Sequence, residues 1–156
     1  MPVKQEAGVR TLKGANFTAI HTGPLSKLSD YTLEVPHIKR TITGKLFIKE
    51  FLALTGMQIS INKLPAGARV PFYHRHQENE EAYIFVGGSG QMQIDGETFD
   101  VEEGTIVRIA TPGSRTLRNN SNDDLYYICI QAKENSLTQD TFDDGVRDEV
   151  PVTWPD

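Results

Sequence analysis

From Met57 onward the chain alternates. TGMQISINKL sets Met57, Ile59 and Ile61 on one side and Gln58, Ser60 and Asn62 on the other, the period of a half-buried β-strand. Short runs of the same kind follow: AYIFV after Glu81, then QMQID, ETFDV, TIVRIA, SRTLRN and LYYICIQ. Turn-forming residues separate them. Pro65-Ala66-Gly67, the trio Gly87, Gly88 and Gly90, and Glu103-Gly104 mark reversals, and Asp95-Gly96 between two alternating runs is a hairpin signal. No segment of normal helical length interrupts the series, so the pattern predicts an all-β sandwich or barrel.

Upstream the signals are shorter. FTAIH at 17 to 21 and YTLEV at 31 to 35 read as strands, the first followed by the Gly23-Pro24 turn and the second stopped by Pro36. Leu25 to Leu28 fit one helical turn beginning at that proline. KLFIKEFLAL, from Lys45 to Leu54, alternates in its first half while Ile48, Phe51 and Leu52 also fit helical spacing; a strand is predicted over 45 to 50. Beyond Lys133 the alternation lapses. Val150, Val152 and Trp154 alternate around Pro151, and the segment reads either as a solvated tail or as one that packs against the barrel or a second subunit.

Composition adds bounds to this outline. A chain of 156 residues is one domain by length and large enough to bury a single core. Its net charge of −5 is local: residues 134 to 156 hold seven acids against one arginine, a local −6 that leaves the rest near +1. No basic stripe points to nucleic acid, and no basic amphipathic segment points to a membrane surface. The opening residues MPVKQEAGVR lack a signal-type apolar stretch, and no run reaches the roughly 18 apolar residues of a spanning helix. The expectation is a soluble, cytoplasmic protein. The sole cysteine, Cys129, excludes an internal disulfide, and its place within LYYICI predicts a buried core residue.

Candidate chemistry gathers between Gly67 and Gly88. His74 and His76 are two apart, so on an extended strand their imidazoles share a face, and Glu81 opens the next strand with Tyr83 and Phe85 on its own face. Two imidazoles and a carboxylate from neighbouring strands form the ligand set of a metal site with open positions. Glu80 is the alternative carboxylate. Tyr83 and Phe85 read as core residues that could also wall a pocket. Tyr73, on the opposite parity from the histidines, is expected in the core or at an interface. Arg108 and Arg118 are expected outside, and His21 and His37, without partners at useful spacing, on the surface or in loops.

These residues resemble the cupin superfamily, whose first motif is approximately G-x5-H-x-H-x(3,4)-E-x6-G and whose second is G-x5-P-x-G-x2-H-x3-N. His74, His76, Glu81 and Gly88 match the first, with Gly67 one position too early. The second runs in frame from Gly104 to Asn119, but Ala110 replaces the proline, Pro112 the glycine, and Arg115 the histidine. The resemblance covers about 55 to 132. It implies a double-stranded β-helix, or jelly-roll, barrel, with residues 1–54 as N-terminal strands packing on the barrel or a dimer partner, and 133–156 as a short acidic C-terminal extension, all one domain. It also implies a homodimer and a small-molecule ligand, with Arg115, Tyr83 and Phe85 as ligand-binding candidates.

In metal-bearing cupins three histidines and a glutamate hold the ion. Here the resemblance carries over His74, His76 and Glu81, which could still hold one divalent ion such as iron, manganese, zinc or nickel. Arg115 complicates this. A +1 and a +2 charge about 5 Å apart repel by roughly 6 to 7 kcal/mol at an effective dielectric near 20, so the arginine must turn away, bind an anion, or replace the metal by pairing with Glu81. Three functions remain open. One is a metal-dependent enzyme of dioxygenase, decarboxylase or isomerase type acting on a small anionic or sugar-like substrate. The others are a metal-free binding module and a structural dimer.

Overall fold

The computed structural model describes residues 4–6, 8–36 and 39–156, those at 4–6 by their backbone, so the expectation for His37 lies outside the described residues. Among the described residues there are thirteen strands, eight of them in two sheets that face each other and make the frame. The larger sheet has the order β11 (Ile106–Ile109), β8 (Asn79–Gly87), β13 (Leu125–Lys133), β7 (Gln58–Leu64), β6 (Lys45–Phe47), antiparallel throughout. The smaller runs β10 (Glu97–Glu102), β9 (Ser89–Ile94), β12 (Arg115–Arg118), also antiparallel. This is the all-β jelly-roll barrel that the alternation and the resemblance predict.

Their inner faces enclose one core, in which Phe85, Met92, Val101, Leu117 and Leu125 are buried together with Tyr83 and Cys129. Alternation explains the selection: along β8 the buried positions are Glu81, Tyr83 and Phe85, two apart each time. The hairpin between β9 and β10 pairs Ile94 with Glu97 across Asp95 and Gly96, whose φ angles of 50° and 88° are those of the turn predicted from Asp-Gly.

At Gly88 the chain reverses with φ +79°, and a Cβ there would stand 2.2 Å from the Asp124 carbonyl oxygen. Gly96 has φ +88° and open space around it. Gly88→Ala is therefore expected to destabilise the protein well beyond the roughly 1–2 kcal/mol of a left-handed residue, while Gly96→Ala stays near that figure. Urea unfolding of both variants, followed by circular dichroism, checks the difference; equal losses would show that the Asp124 strand end yields freely.

Strand β7 departs from the simplest reading of its alternation. Its polar side is the one turned into the barrel, where Ser60 and Asn62 are both 3% exposed, while Ile59 and Ile61 face outward. The outward face is covered. Leu28, Tyr31, Leu46 and Ile48 form a second apolar cluster on which Ile59, Ile61, Phe51 and Leu52 pack. Its buried members come from residues 25–31 and from β6 and its end; the N-terminal third also carries β1 (Lys4–Glu6), β4 (Thr32–Val35) and β5 (Arg40–Thr43) as one small sheet, and β2 (Arg10–Lys13) with β3 (Thr18–His21) as another. Apolar burial of about 25 cal/mol per Å² thus holds β7 from outside the barrel, which frees its inner face for polar side chains.

The predicted helical turn after Pro24 is a 3-10 helix over Leu25–Asp30. The predicted strand over 45 to 50 is corrected: β6 ends at Phe47, and a single α-helical turn, α1 (Lys49–Leu52), follows. Phe51 and Leu52 reach the second cluster only from a helical turn, and the Gln58 side-chain carbonyl accepts the Lys49 amide at 3.0 Å to fix its start. The histidine segment is likewise not a strand but an extended loop with two isolated bridges, Arg69 to Arg118 and His74 to Arg115. Pro71 has no amide to give a ladder. In the tail Val150, Val152 and Trp154 are exposed, none packing on the barrel. No described helix is long and apolar enough to cross a membrane.

Candidate functional site

Three structural elements bring the site together. The 68–76 loop lies along β12, tied by Val70 N–H to the Leu117 carbonyl at 2.9 Å and by the paired His74 and Arg115 backbones at 3.2 and 3.0 Å. That bridge fixes both side chains at one level, and β8 delivers Glu81 from the opposite sheet. The two histidines keep the common face expected of them even though the loop is not a strand, with ring centroids 5.6 Å apart.

Arg115 points inward. It is 1% exposed, donates through Nη1 to the Gly113 carbonyl at 2.9 Å and through Nη2 to Glu81 Oε2. The other carboxylate oxygen, Oε1, lies 2.9 Å from His76 Nε2. Burial alone would raise the Glu81 carboxyl, but the charge and hydrogen bond of Arg115, with smaller help from His76 and His74, outweigh it and hold it below the usual carboxylate range. His74 is shifted down, first by burial and then by the Arg115 charge, so it is held as a neutral imidazole. Two buried atoms, His74 Nδ1 and Arg115 Nε, have no hydrogen-bond partner among the described residues.

Above this cluster opens a cavity of about 390 Å³. His74, His76, Glu81, Tyr83 and Arg115 all line it. Phe85 lies deeper, its ring 6.4 Å from that of Tyr83 and 5.7 Å from that of Tyr127, within the core beneath the cavity. Tyr73, expected in the core or at an interface, is 59% exposed and hydrogen-bonded to Gln93. Glu80 faces outward in an ion pair with exposed Arg108 at 2.8 Å, which leaves Glu81 as the carboxylate of the site. Cys129 borders the cavity, but burial, then Glu81, pushes its thiol up to about 12, so it remains protonated and unreactive.

One group was hidden from the sequence. Lys45, at the start of β6, turns its ammonium into the cavity and donates to Asn62 Oδ1 at 3.0 Å and to Ser60 Oγ at 3.5 Å. Its only visible signal is the polar side of β7. A lysine in an alternating run reads as solvent-facing until the covered outer face of β7 shows which side is inside.

The ligand atoms of His74, His76 and Glu81 lie within 4.8 Å of one another, a convergence compatible with a metal ion. The charges are not. The single carboxylate is already shared between a guanidinium and an imidazole, and a permanent cation, 1% exposed, stands beside the place a divalent ion would occupy. The residues present fit an arginine–carboxylate pair better than a divalent ion.

Comparison with known proteins agrees with this architecture. The Cupin domain family model matches residues 61–131. A cupin protein from Bacteroides fragilis is 43% identical, with a TM-score of 0.65 over 67% of this chain and 88% of that one. A predicted oxalate decarboxylase from Thermotoga maritima, 22% identical with a TM-score of 0.53 over 61% of this chain and 83% of that one, shares the fold. An uncharacterized protein of Methanocaldococcus jannaschii is 30% identical over 66 residues, 42% of this chain and 52% of that protein, so the match spans about half the relative's length. With the barrel, the first motif and a 43% identical relative in agreement, this chain belongs to the cupin superfamily.

Proposed function

We propose that this protein is a cupin that binds a small molecule in its barrel cavity without a metal ion, with Arg115 standing where the superfamily's second-motif histidine would be. The observation that carries the reading is the buried Arg115–Glu81 pair: the guanidinium supplies the positive charge that a buried carboxylate needs and that the ion supplies elsewhere in the superfamily. His74 and His76 then serve as hydrogen-bonding groups on the cavity wall, and Tyr83, whose phenol is held protonated by burial, as a hydrogen-bond donor.

A second reading, a weakened metal site, rests on the convergence of the three ligand atoms. It makes His74, His76 and Glu81 ligands of a divalent ion, with open positions for a substrate. Metal analysis of protein purified without chelator separates the two. Substoichiometric metal, unchanged in His74→Ala, is expected. One ion per chain, lost in His74→Ala, would replace the proposal with the metal reading.

A further inference from the structure

The cavity's charges do not cancel. Arg115 and Glu81 offset each other, Lys63 is paired with Asp124, Arg40 and Arg69 reach the cavity from exposed positions, and among the described residues Lys45 is the cation left inside. Among the described residues Lys45 has no carboxylate partner; it is held by an amide oxygen and a hydroxyl, which use two of its three N–H donors. Its ammonium lies 5.0 Å from the Phe47 ring centroid, a weak stabilisation that supplies no counter-charge.

Burial lowers the Lys45 pKa from its ordinary value, so its ammonium is favoured inside only with an anion beside it. Leu, Met or Val at the inward positions of β6 and β7 would stabilise the barrel more simply, yet this inner corner carries Lys45, Ser60 and Asn62 together. Asn62 is itself braced, its Nδ2 donating to the Ser60 hydroxyl at 3.0 Å and the Tyr127 carbonyl at 3.3 Å, so its Oδ1 is turned toward the lysine. The lysine is therefore positioned, and a braced cation on a cavity wall is a recognition group.

We propose that Lys45 is the residue that selects the ligand, and that the ligand is a small monocarboxylate whose carboxylate seats on the Lys45 ammonium. Charge sets the class. One interior cation held by neutral partners matches one negative charge, whereas a phosphate dianion would bring in a second charge with no interior partner. Shape sets the rest. The cavity walls include Phe47, Met92, Leu117 and Tyr127, which fit an apolar body, and His74, His76 and Arg115 line the same cavity for a carbonyl or hydroxyl on that body. This assignment rests on the small-molecule reading of the cavity, and its test separates the two.

The probes are propanoate, 2-oxobutanoate, benzoate and phenylacetate, each paired with its primary amide, titrated calorimetrically and by ligand-observed NMR into the full chain. At least one carboxylate is expected to bind about ten-fold or more tightly than its amide. Lys45→Met should remove that preference and Lys45→Arg should keep it, with folding of both verified by circular dichroism and melting temperature. A folded Lys45→Met protein that still prefers the carboxylate overturns the assignment. Amides and carboxylates binding the wild type equally also overturns it while leaving the cavity as a binding site. No binding of any probe by the wild type overturns the assignment together with the small-molecule reading.

Discussion

Glu81→Ala is expected to lose about 3–5 kcal/mol of stability, because it leaves the buried Arg115 guanidinium without its counter-charge. The two side chains are 2% and 4% exposed, so solvent screens neither. Truncation also frees His76 Nε2 of its partner at 2.9 Å. The size of the loss comes from the charge left behind and not from the intrinsic worth of the pair. That distinction is testable. Replacing both members, Glu81→Leu with Arg115→Met, removes the charge as well as its partner and should recover most of the loss, since an apolar pair of similar volume is often as stable as a buried ion pair. Urea unfolding of the two single variants and the double variant forms the cycle. A Glu81→Ala protein within about 1 kcal/mol of wild type would mean that Arg115 finds another anion or leaves the interior, contrary to its burial.

Arg115→His is expected to turn the pocket into a metal site. The substitution restores the second-motif histidine on β12, at the residue whose backbone is bridged to His74, and removes the cation that now occupies Glu81 Oε2. Without an ion the variant should be less stable than wild type, because Glu81 loses a charge-assisted bond worth about 1.5–3 kcal/mol. Zinc, manganese or nickel at one hundred times its dissociation constant should return about 2.7 kcal/mol. Thermal unfolding against metal concentration reads both effects. If wild-type protein gains as much from the same ions, Arg115 has not displaced the metal and the metal-free reading falls.

Much of this was legible in the chain because it is local. The Asp95-Gly96 turn, the two-residue period of β8 and the spacing of His74, His76 and Glu81 depend on neighbours in sequence, and the structure keeps all three. The histidines share a face even without a strand because extended backbone alternates whether or not it is paired. What the chain hid is non-local. Which face of β7 is the inside depends on Leu28, Tyr31, Leu46 and Ile48, residues far upstream that cover Ile59 and Ile61. Without that cover the apolar face would be the obvious interior, and Lys45 would look solvated. The strand-to-helix change at Phe47 has the same origin, since Phe51 and Leu52 follow the second cluster and not the alternation. Arg115 was visible as a residue out of place in a motif. Its direction was not, and only the carboxylate across the barrel decides it.

The tail has a practical bearing on every stability measurement named above. Trp154 is the only tryptophan in the chain, and it is 85% exposed beyond the last strand. Its emission should be that of a hydrated indole in the native and the denatured protein alike, so a conventional fluorescence melt would report almost no transition from a barrel that is unfolding. Backbone dichroism, or the near-ultraviolet bands of the stacked Tyr83 and Tyr127, whose ring centroids are 5.6 Å apart, will register what the indole misses.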